Sequence, residues 1–328
     1  ISGYNNENPF QQFIWSARQV DFQELRNWES FPLAPAGTAA AGTPLNWNHN
    51  FQNNPYWVLD TNRNTLAKDR LIGNIDVSYQ LTDWLSFSQK IGIDTYSQLE
   101  TQRQAVGSNN AQNGSYFEVQ RRFEEVNATS LLSVNKPISE DFGFSASVGF
   151  QHMNRRYNST SGFLPGLELP NLYTLSNLQT GATANVSSFS RNQQINSVFG
   201  FGQFSYKNMI FIDFTARQDY ASILPVKNNS FFYPSVATSL LLSEMIDMKG
   251  AKIDFLKIRG GWSQVGSTGA LAPYNIIPTF GLTNTGFGNQ GFLPNTQFNP
   301  ELKAETVTGI EFGLDAKLFS NRLRLGAT

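Results

Sequence analysis

The chain has 328 residues, a length that suits about two domains. Only 15% of its residues are charged, against about 25% in a typical globular protein, and Asn, Gln, Ser, Thr and Gly are abundant instead. The net charge of -1 gives no basic surface for a nucleic acid, and the absence of cysteine excludes disulfides, thiolate metal sites and cysteine nucleophiles.

Neither end of the sequence has the features of a natural terminus. The first residue is Ile1 rather than Met, and no signal peptide or apolar run long enough for a membrane-spanning helix follows it. The last alternating run stops at Thr328, in the middle of a predicted strand. We therefore expect the sequence to be a portion of a longer chain.

The first 70 residues have no steady strand pattern. Four of them follow helical spacing: Phe10, Phe13, Ile14 and Ala17. Prolines and glycines then break the chain repeatedly. We expect 1–70 to form one long extracellular loop region with a short helix, and 71–328 to hold the strands. Loops of such length inside a domain are usually functional.

From residue 71 onwards, apolar and polar residues alternate with the period of a β-strand. The clearest runs are 85–94, 142–151, 210–219, 256–263 and 310–318. Less regular strands are predicted at 71–79, 115–135, 188–206, 231–243 and 322–328. Two of these, 115–135 and 188–206, carry apolar residues on their otherwise polar side.

The connections between these strands alternate between short turns and long polar loops. The short ones are 80–83, 136–141, 207–208, 245–254 and 319–321, and the long ones are 96–114, 157–187, 220–230 and 266–303. This asymmetry is typical of a transmembrane β-barrel, whereas a soluble β-sandwich has shorter strands and no such alternation. We predict an all-β fold, part of a large up-and-down antiparallel transmembrane barrel with short periplasmic turns and long extracellular loops.

Aromatic residues at strand ends favour the same fold, because membrane barrels place aromatic girdles at both interfaces. They are Trp84, Phe142, Tyr206, Phe232, Tyr233 and Phe319. In the last complete strand, Ile310, Phe312 and Leu314 are predicted to face lipid. Ordinary packing at strand edges is the alternative for any single aromatic residue.

The residue pattern offers no catalytic site. The two histidines, His49 and His152, have no ligand or triad partner at a characteristic spacing. The neighbouring acids Glu124 and Glu125 point to opposite sides of a strand and form no dyad. We predict a protein that is not an enzyme and that needs neither a metal nor another cofactor.

Two sets of residues are candidates for contact with a solute. The first set is charged and lies on the polar side of the predicted strands: Asp213, Arg217, Asp219, Lys257, Arg259, Glu311, Asp315 and Lys317. These charges are predicted to face the lumen, where they either tie neighbouring strands together, dock an internal plug or touch a solute. The second set is aromatic and lies in the loops: Trp47, Tyr56, Trp57, Tyr274, Phe280, Phe287 and Phe292. Rings among Asn, Gln and Thr suit sugars or peptides, although some of them could simply pack the loops.

Several stretches resemble, in order, the middle section of SusC/RagA-type TonB-dependent transporters of the Bacteroidetes outer membrane. They are NPYW at 54–57, YQLTDWLSFSQKIGID at 79–94, RQDYASILP at 217–225, FFYPSVATSLLLSE at 231–244, LKIRGGWSQVG at 256–266 and NPELKAETVTGIEFGLDAKLFSNRL at 299–323. Each stretch alone is a weak motif, but the ordered series is specific and covers most of the chain. Ala304 departs from the family, which often has Trp there.

The resemblance implies a 22-stranded barrel in the outer-membrane lipid, filled by an N-terminal plug and covered by a SusD-like surface lipoprotein. It also implies import of a large nutrient, an oligosaccharide or a peptide, driven by TonB through the plug. The plug, the TonB box and the closing strands have no counterpart in this sequence, so we expect only the central barrel portion.

Three other functions remain open at this stage. A barrel of this type could be a scaffold in a larger outer-membrane assembly or secretion machine, since its strands would look the same. A siderophore receptor shares the barrel, but the motif series argues against it. A soluble carbohydrate-binding β-protein is the third alternative.

Overall fold

The computed structural model describes residues 9–37, 42–45, 51–248, 250, 252–269, 271–277, 279–285, 288–293, 295 and 299–328. Its α-helices are α1 Pro9–Ile14, α2 Phe22–Leu25, α3 Pro55–Thr61 and α4 Leu242–Met245. Helix α1 contains Phe10, Phe13 and Ile14, which follow helical spacing in the sequence, whereas α2, α3 and α4 were not predicted. In the described part of the chain, no helix has both the length and the apolar character needed to cross a membrane.

Strands make up most of the described chain. They are β1 Thr65–Thr82, β2 Leu85–Gln104, β3 Ser115–Pro137, β4 Phe142–Leu164, β5 Asn185–Tyr206, β6 Ile210–Ala221, β7 Ser230–Leu241, β8 Ile253–Ser267, β9 Gly281–Thr285, β10 Gly288–Phe292, β11 Glu305–Leu318 and β12 Leu323–Ala327. Ten of them form one sheet in the order β1-β2-β3-β4-β5-β6-β7-β8-β11-β12, and β9 pairs with β10 in a separate hairpin. The predicted all-β, up-and-down sheet is thereby confirmed.

Several strands are much longer than predicted. Strand β2, predicted at 85–94, continues to Gln104, and β4, predicted at 142–151, continues to Leu164, so the predicted loops 96–114 and 157–187 shrink to 105–114 and 165–184. Most of the extra residues are polar, so they lack the alternation that reveals a strand in sequence. They nevertheless belong to strands that are hydrogen-bonded to their neighbours in the ten-stranded sheet.

The short turns are confirmed where predicted, and their backbone explains their sequence. Lys207 and Asn208 have φ values of 51° and 55°, and Met209 donates its N–H to the Tyr206 carbonyl at 2.9 Å. Two successive residues of positive φ form the hairpin turn whose twist matches that of the flanking strands, and asparagine tolerates this conformation well.

Alternation gives the sheet one exposed apolar side, which we call the apolar face. On β11 the side chains of Ile310, Phe312 and Leu314 belong to it, and Phe312 is 74% exposed. One side of β1 likewise carries exposed apolar residues: Leu71, Ile75, Val77, Tyr79 and Leu81. A contiguous apolar surface of this kind marks contact with a membrane or a partner, because water disfavours it.

Aromatic residues gather near the short turns. The rings of Phe142 and Tyr206 lie 4.7 Å apart, and the Lys207 ammonium lies 5.5 Å from the Tyr206 ring. Tyr233 does not belong to this group, because its hydroxyl donates to a carboxylate on the opposite side of the sheet from the apolar face. A girdle function for the remaining aromatic residues stays a prediction.

Contacts divide the chain into two compact units. The first consists of Ile1–Leu71, Thr95–Phe123 and Tyr157–Ser190. One of its cores contains Trp57, Val58 and Ala105, and a second contains three other buried residues: Tyr116, Leu164 and Leu167. The predicted loop region 1–70 thus packs together with two later stretches, and its extracellular location remains a prediction.

The second unit consists of Ile72–Asp94, Glu124–Arg156 and Arg191–Thr328. Its apolar core contains Ala221, Ile223 and Leu224. Partly buried residues from both ends of the 268–304 connection pack against it: Leu271, Leu302 and Ala304. The small side chain at Ala304, where the resembled family often has Trp, therefore lies at the edge of a packed cluster.

Replacing Phe312 by Arg tests whether the apolar face meets lipid. In the full-length protein, Phe312→Arg is expected to lower the free energy of unfolding by about 2–4 kcal/mol, because the guanidinium would enter hydrocarbon. Glu311→Arg is the matched control, one residue away on the other side, with an expected change of about 1 kcal/mol or less. Urea unfolding in phosphatidylcholine vesicles, followed by tryptophan fluorescence, measures both, and equal losses would contradict the assignment.

Candidate functional site

The eight charges predicted to face the lumen share one side of the sheet, which we call the polar face. Asp213 on β6 lies opposite Ala237 on β7, Ala237 opposite Gly261 on β8, and Gly261 opposite Glu311 on β11. Residues directly opposite each other in antiparallel strands, and residues two apart in one strand, point to the same side. The other six charges follow from this register: Arg217, Asp219, Lys257, Arg259, Asp315 and Lys317. That this side lines a lumen stays a prediction.

Arg217 and Asp219 form the centre of a hydrogen-bonded network on the polar face. The Arg217 guanidinium donates to Asp219 at 2.7 Å, to Gln151 of β4 at 2.8 Å and to Ser197 of β5 at 2.7 Å. The Tyr233 hydroxyl of β7 donates to the second carboxylate oxygen of Asp219 at 2.5 Å. Asp219 is 7% exposed, and burial of a carboxylate is costly unless it is paired and hydrogen-bonded. These two charges tie four strands together.

Three further charges on the polar face also connect neighbouring strands. Arg259 of β8 donates to the Asp315 carboxylate of β11 at 2.6 Å. Asp213 of β6 accepts a hydrogen bond from the Gln203 amide of β5 at 2.8 Å. The sequence left three roles open for the predicted charges. The contacts of Arg217, Asp219, Arg259, Asp315 and Asp213 match the first of them, in which the charges tie neighbouring strands together.

Lys257 and Glu311 are placed differently. Together with Asp213 they line a hollow of about 230 Å³ that Gly261 and Gly313 also line. Glycine in a strand interior leaves space for another backbone or a ligand to approach closely. The hollow therefore offers opposite charges, and the Arg259 side chain lies over the strand at Gly313.

Helix α3 fixes the first of the predicted loop aromatics. Asn54 caps the helix by accepting hydrogen bonds from the N–H groups of Tyr56 at 2.9 Å and Trp57 at 3.4 Å. Its amide donates to the Leu25 carbonyl at 3.1 Å, which attaches α3 to the end of α2. A cap of this kind satisfies helix N–H groups that have no partner within the helix.

Trp57 is buried rather than available to a solute. Its side chain is 6% exposed and packs with Val58, Ala105 and Trp28. Tyr56 is half-buried and accepts a hydrogen bond from the Arg26 side chain at 3.3 Å. In this structure both rings pack the loops, which is the alternative that the sequence left open.

Asparagine side chains attach both ends of α3 to the β2–β3 loop. The Asn62 side chain accepts from the Ala105 N–H at 2.8 Å and donates to the Ser108 hydroxyl at 3.1 Å. Asn53 accepts from the Asn109 N–H at 2.9 Å. These residues were missed from sequence, where an Asn-rich stretch indicates only a polar loop.

The aromatic residues of the 268–304 connection are exposed. Tyr274 and Phe292 are about half exposed and Phe280 is 72% exposed. The base of this connection is held to the β6–β7 loop, because Asn228 donates to the Glu301 carbonyl at 3.0 Å and Lys227 pairs with the Glu301 carboxylate. The predicted residues Trp47 and Phe287 lie outside the described residues, as does His49.

Two tyrosines pack in the second core of the first unit. Tyr116 lies at the start of β3, and its hydroxyl donates to the Glu118 carboxylate at 2.8 Å. Tyr173 lies in the β4–β5 loop, where burial raises its pKa and the Arg103 guanidinium lies over its ring at 5.0 Å. The Tyr173 phenol is therefore neutral at physiological pH and packs as an uncharged group.

The described residues contain no group of three His, Asp or Glu side chains that could hold a metal ion. His152 lies beside Asn196, with 2.7 Å between its Nδ1 atom and the amide oxygen. This pair lies on the side of the sheet opposite to Gln151 and Ser197, because adjacent residues of a strand point to opposite sides.

Comparison with known proteins defines the class of protein. Residues 5–328 match the family described as TonB dependent receptor-like, beta-barrel, so the chain belongs to this family. Its members are outer-membrane transporters rather than enzymes. The resemblance found in the sequence is confirmed at this level.

Individual relatives agree with the family. The chain is 27% identical over 283 residues to TonB-dependent receptor P3 of Formosa agariphila, covering 83% of this chain and 28% of the relative. It is similar in structure to the RagAB peptide transporter, with a TM-score of 0.77 and 19% identity over 87% of this chain and 32% of that one. At this identity the similarity shows the fold. The chain spans about a third or less of these proteins.

Trp57→Ala is expected to loosen the core that Trp57 forms with Val58 and Ala105. Phe292→Ala, its matched control, should leave that core unchanged. Removing a buried Trp side chain costs about 3–5 kcal/mol, so amide hydrogen exchange should accelerate at Asn62 and Ala105, whose N–H groups are hydrogen-bonded around α3. Hydrogen exchange with mass spectrometry of the full-length protein measures both variants. Unchanged exchange in Trp57→Ala would contradict the packing role.

Proposed function

We propose that this chain forms part of the wall of an importer that carries a large nutrient, an oligosaccharide or a peptide, across the outer membrane. The observation that carries the proposal is the two-sided sheet of a TonB-dependent receptor, with exposed apolar side chains on one side and paired charges on the other. The apolar face contacts outer-membrane lipid, and the polar face contacts the aqueous interior. The mechanism is binding followed by gated passage, with no bond made or broken.

The loops supply capture. Phe280, Phe292 and Tyr274 expose ring surface on a connection whose base is fixed by Leu271 and Leu302. Exposed rings can stack on sugar or aromatic peptide groups while neighbouring Asn, Gln and Thr side chains form hydrogen bonds. A SusD-like surface lipoprotein covers these loops in the proposed complex.

Energy comes from TonB, which acts through a plug segment outside this sequence. The RagAB protein, a peptide transporter with a similar fold, supports nutrient import as the function of such a wall. A scaffold function in an assembly machine predicts different partners, so purification of the native complex distinguishes the two: a lipoprotein lid supports import, and assembly or secretion subunits contradict it.

Phe280→Ala combined with Phe292→Ala is expected to weaken nutrient capture without affecting folding. Each ring contact contributes about 0.5–1.5 kcal/mol, so the apparent KM for uptake should rise roughly fivefold to a hundredfold. Val226→Ala is the matched control, since Val226 is exposed in a neighbouring loop and is not aromatic. Cells that express the full-length protein are tested for growth on oligosaccharides and on peptides.

The same cells are tested after deletion of the gene for TonB. Uptake that depends on the full-length protein should disappear in them. Import that continues without TonB, or the absence of uptake for both nutrient classes, would contradict the proposed function.

A further inference from the structure

Aromatic side chains interrupt the polar face on β5. Phe199 lies opposite Arg217, and Arg217 lies opposite Tyr233. In the next row of the sheet, Phe201 lies opposite Thr215. Thr215 lies opposite Ser235, and Ser235 lies opposite Ser263. This placement explains why the 188–206 segment alternates imperfectly, since two of its apolar residues belong to the polar side.

The rings and hydroxyls of these two rows line a groove of about 350 Å³, which we call the β5–β8 groove. The rings of Phe199 and Phe201 are nearly parallel, with 5° between their planes and 6.5 Å between their centroids. Phe201 is 43% exposed, so part of its surface is open to a ligand. Small-molecule sites have volumes of about 300–1,000 Å³ and combine apolar walls with a few polar groups, as this groove does.

A glycine gives Phe199 its position. A Cβ atom on Gly149 of β4 would lie 2.5 Å from the Phe199 ring, so only glycine leaves room for the ring there. On its other side, the Arg217 guanidinium lies 5.4 Å from the ring centroid. Phe199 is thus held between two neighbouring strands, and it in turn supports Phe201.

Among the described residues that line the groove, the one charged side chain is Arg217, and the Asp219 carboxylate balances its charge within the wall. Three of its N–H groups already donate to Asp219, Gln151 and Ser197. Thr215, Ser235 and Ser263 form a row of hydroxyls, in which Thr215 and Ser235 share a hydrogen bond of 2.7 Å. The two other polar side chains are engaged elsewhere, because the Tyr233 hydroxyl donates to Asp219 and the Gln264 amide donates to Thr308. Hydroxyls both donate and accept, and therefore match a neutral ligand that carries hydroxyls of its own.

We propose that the β5–β8 groove binds a neutral hydroxylated ring, such as one sugar residue of an oligosaccharide. One side of the ring stacks on Phe201, and its hydroxyls exchange hydrogen bonds with Thr215, Ser235 and Ser263. A charged peptide terminus gains little there, because the Asp219 carboxylate already balances the charge of Arg217. The inference rests on the proposed function, since it takes the polar face to be the side that a solute meets.

Binding to the full-length protein in detergent tests the site separately from transport. The probes are neutral hexaoses of glucose, galactose, mannose and xylose, and an uncharged hexapeptide, acetylated at one end and amidated at the other. Saturation-transfer NMR should show binding of at least one hexaose. Phe201→Ala should weaken that binding about fivefold to tenfold, whereas Phe201→Tyr, which keeps the ring, should retain it.

Phe214→Ala is the matched control, because Phe214 lies next to Thr215 on β6 but points to the apolar face. This variant should leave hexaose binding unchanged, and heat-dependent gel mobility should show that every variant is folded. Failure of all hexaoses to bind, or unchanged binding in Phe201→Ala, overturns the proposal. Peptide binding that Phe201→Ala abolishes overturns its chemical class. Hexaose binding in detergent together with TonB-independent uptake supports the groove and contradicts the proposed function.

Discussion

The cross-strand register of β6, β7, β8 and β11 is the constraint on which the rest of the structure depends. A slip of one residue would move every side chain of a strand to the other side of the sheet. Arg217 and Asp219 would then lie on the apolar face, where an arginine costs about 2–4 kcal/mol at the middle of a bilayer. The bonds of Arg217 to Ser197 and of Arg259 to Asp315 each join different strands, so they form in one register alone.

Buried backbone N–H and C=O groups need hydrogen-bond partners, and this requirement explains the abundance of amide side chains in the loops. Where the ladder ends, asparagine replaces the missing strand partner. Asn177, for example, donates to the carbonyls of Leu169 and Leu172 at 2.8 and 2.7 Å and accepts from the Leu169 N–H at 3.0 Å. A neutral amide satisfies donors and acceptors without the desolvation cost of a charge. The low charge and the high Asn content of the chain therefore follow from its long, folded loops.

Alternation predicted the number and order of the sheet strands, the positions of the short turns and the common side of the eight charges. It could not predict the extension of β2 to Gln104, because residues that are polar on both sides carry no period. It also could not separate a buried loop ring from an exposed one, since Trp57 and Phe280 have similar neighbours in sequence. Phe199 and Phe201 were visible as irregularities in 188–206, but their assembly with Thr215 and Ser263 required the register of four strands.

Under the proposed function, the polar face presents two different surfaces to a moving solute. The row that contains Ser263 is neutral and aromatic, whereas Lys257, six residues further along β8, lies in a charged hollow with Glu311. At the rise of a strand, these surfaces are roughly 20 Å apart. Passage requires contacts that are strong enough to admit a solute and weak enough to release it, and several moderate sites meet this requirement better than one tight site. Asp219 pairs with Arg217 and so balances its charge. A ligand in the β5–β8 groove therefore meets no strong unpaired charge that would slow its release.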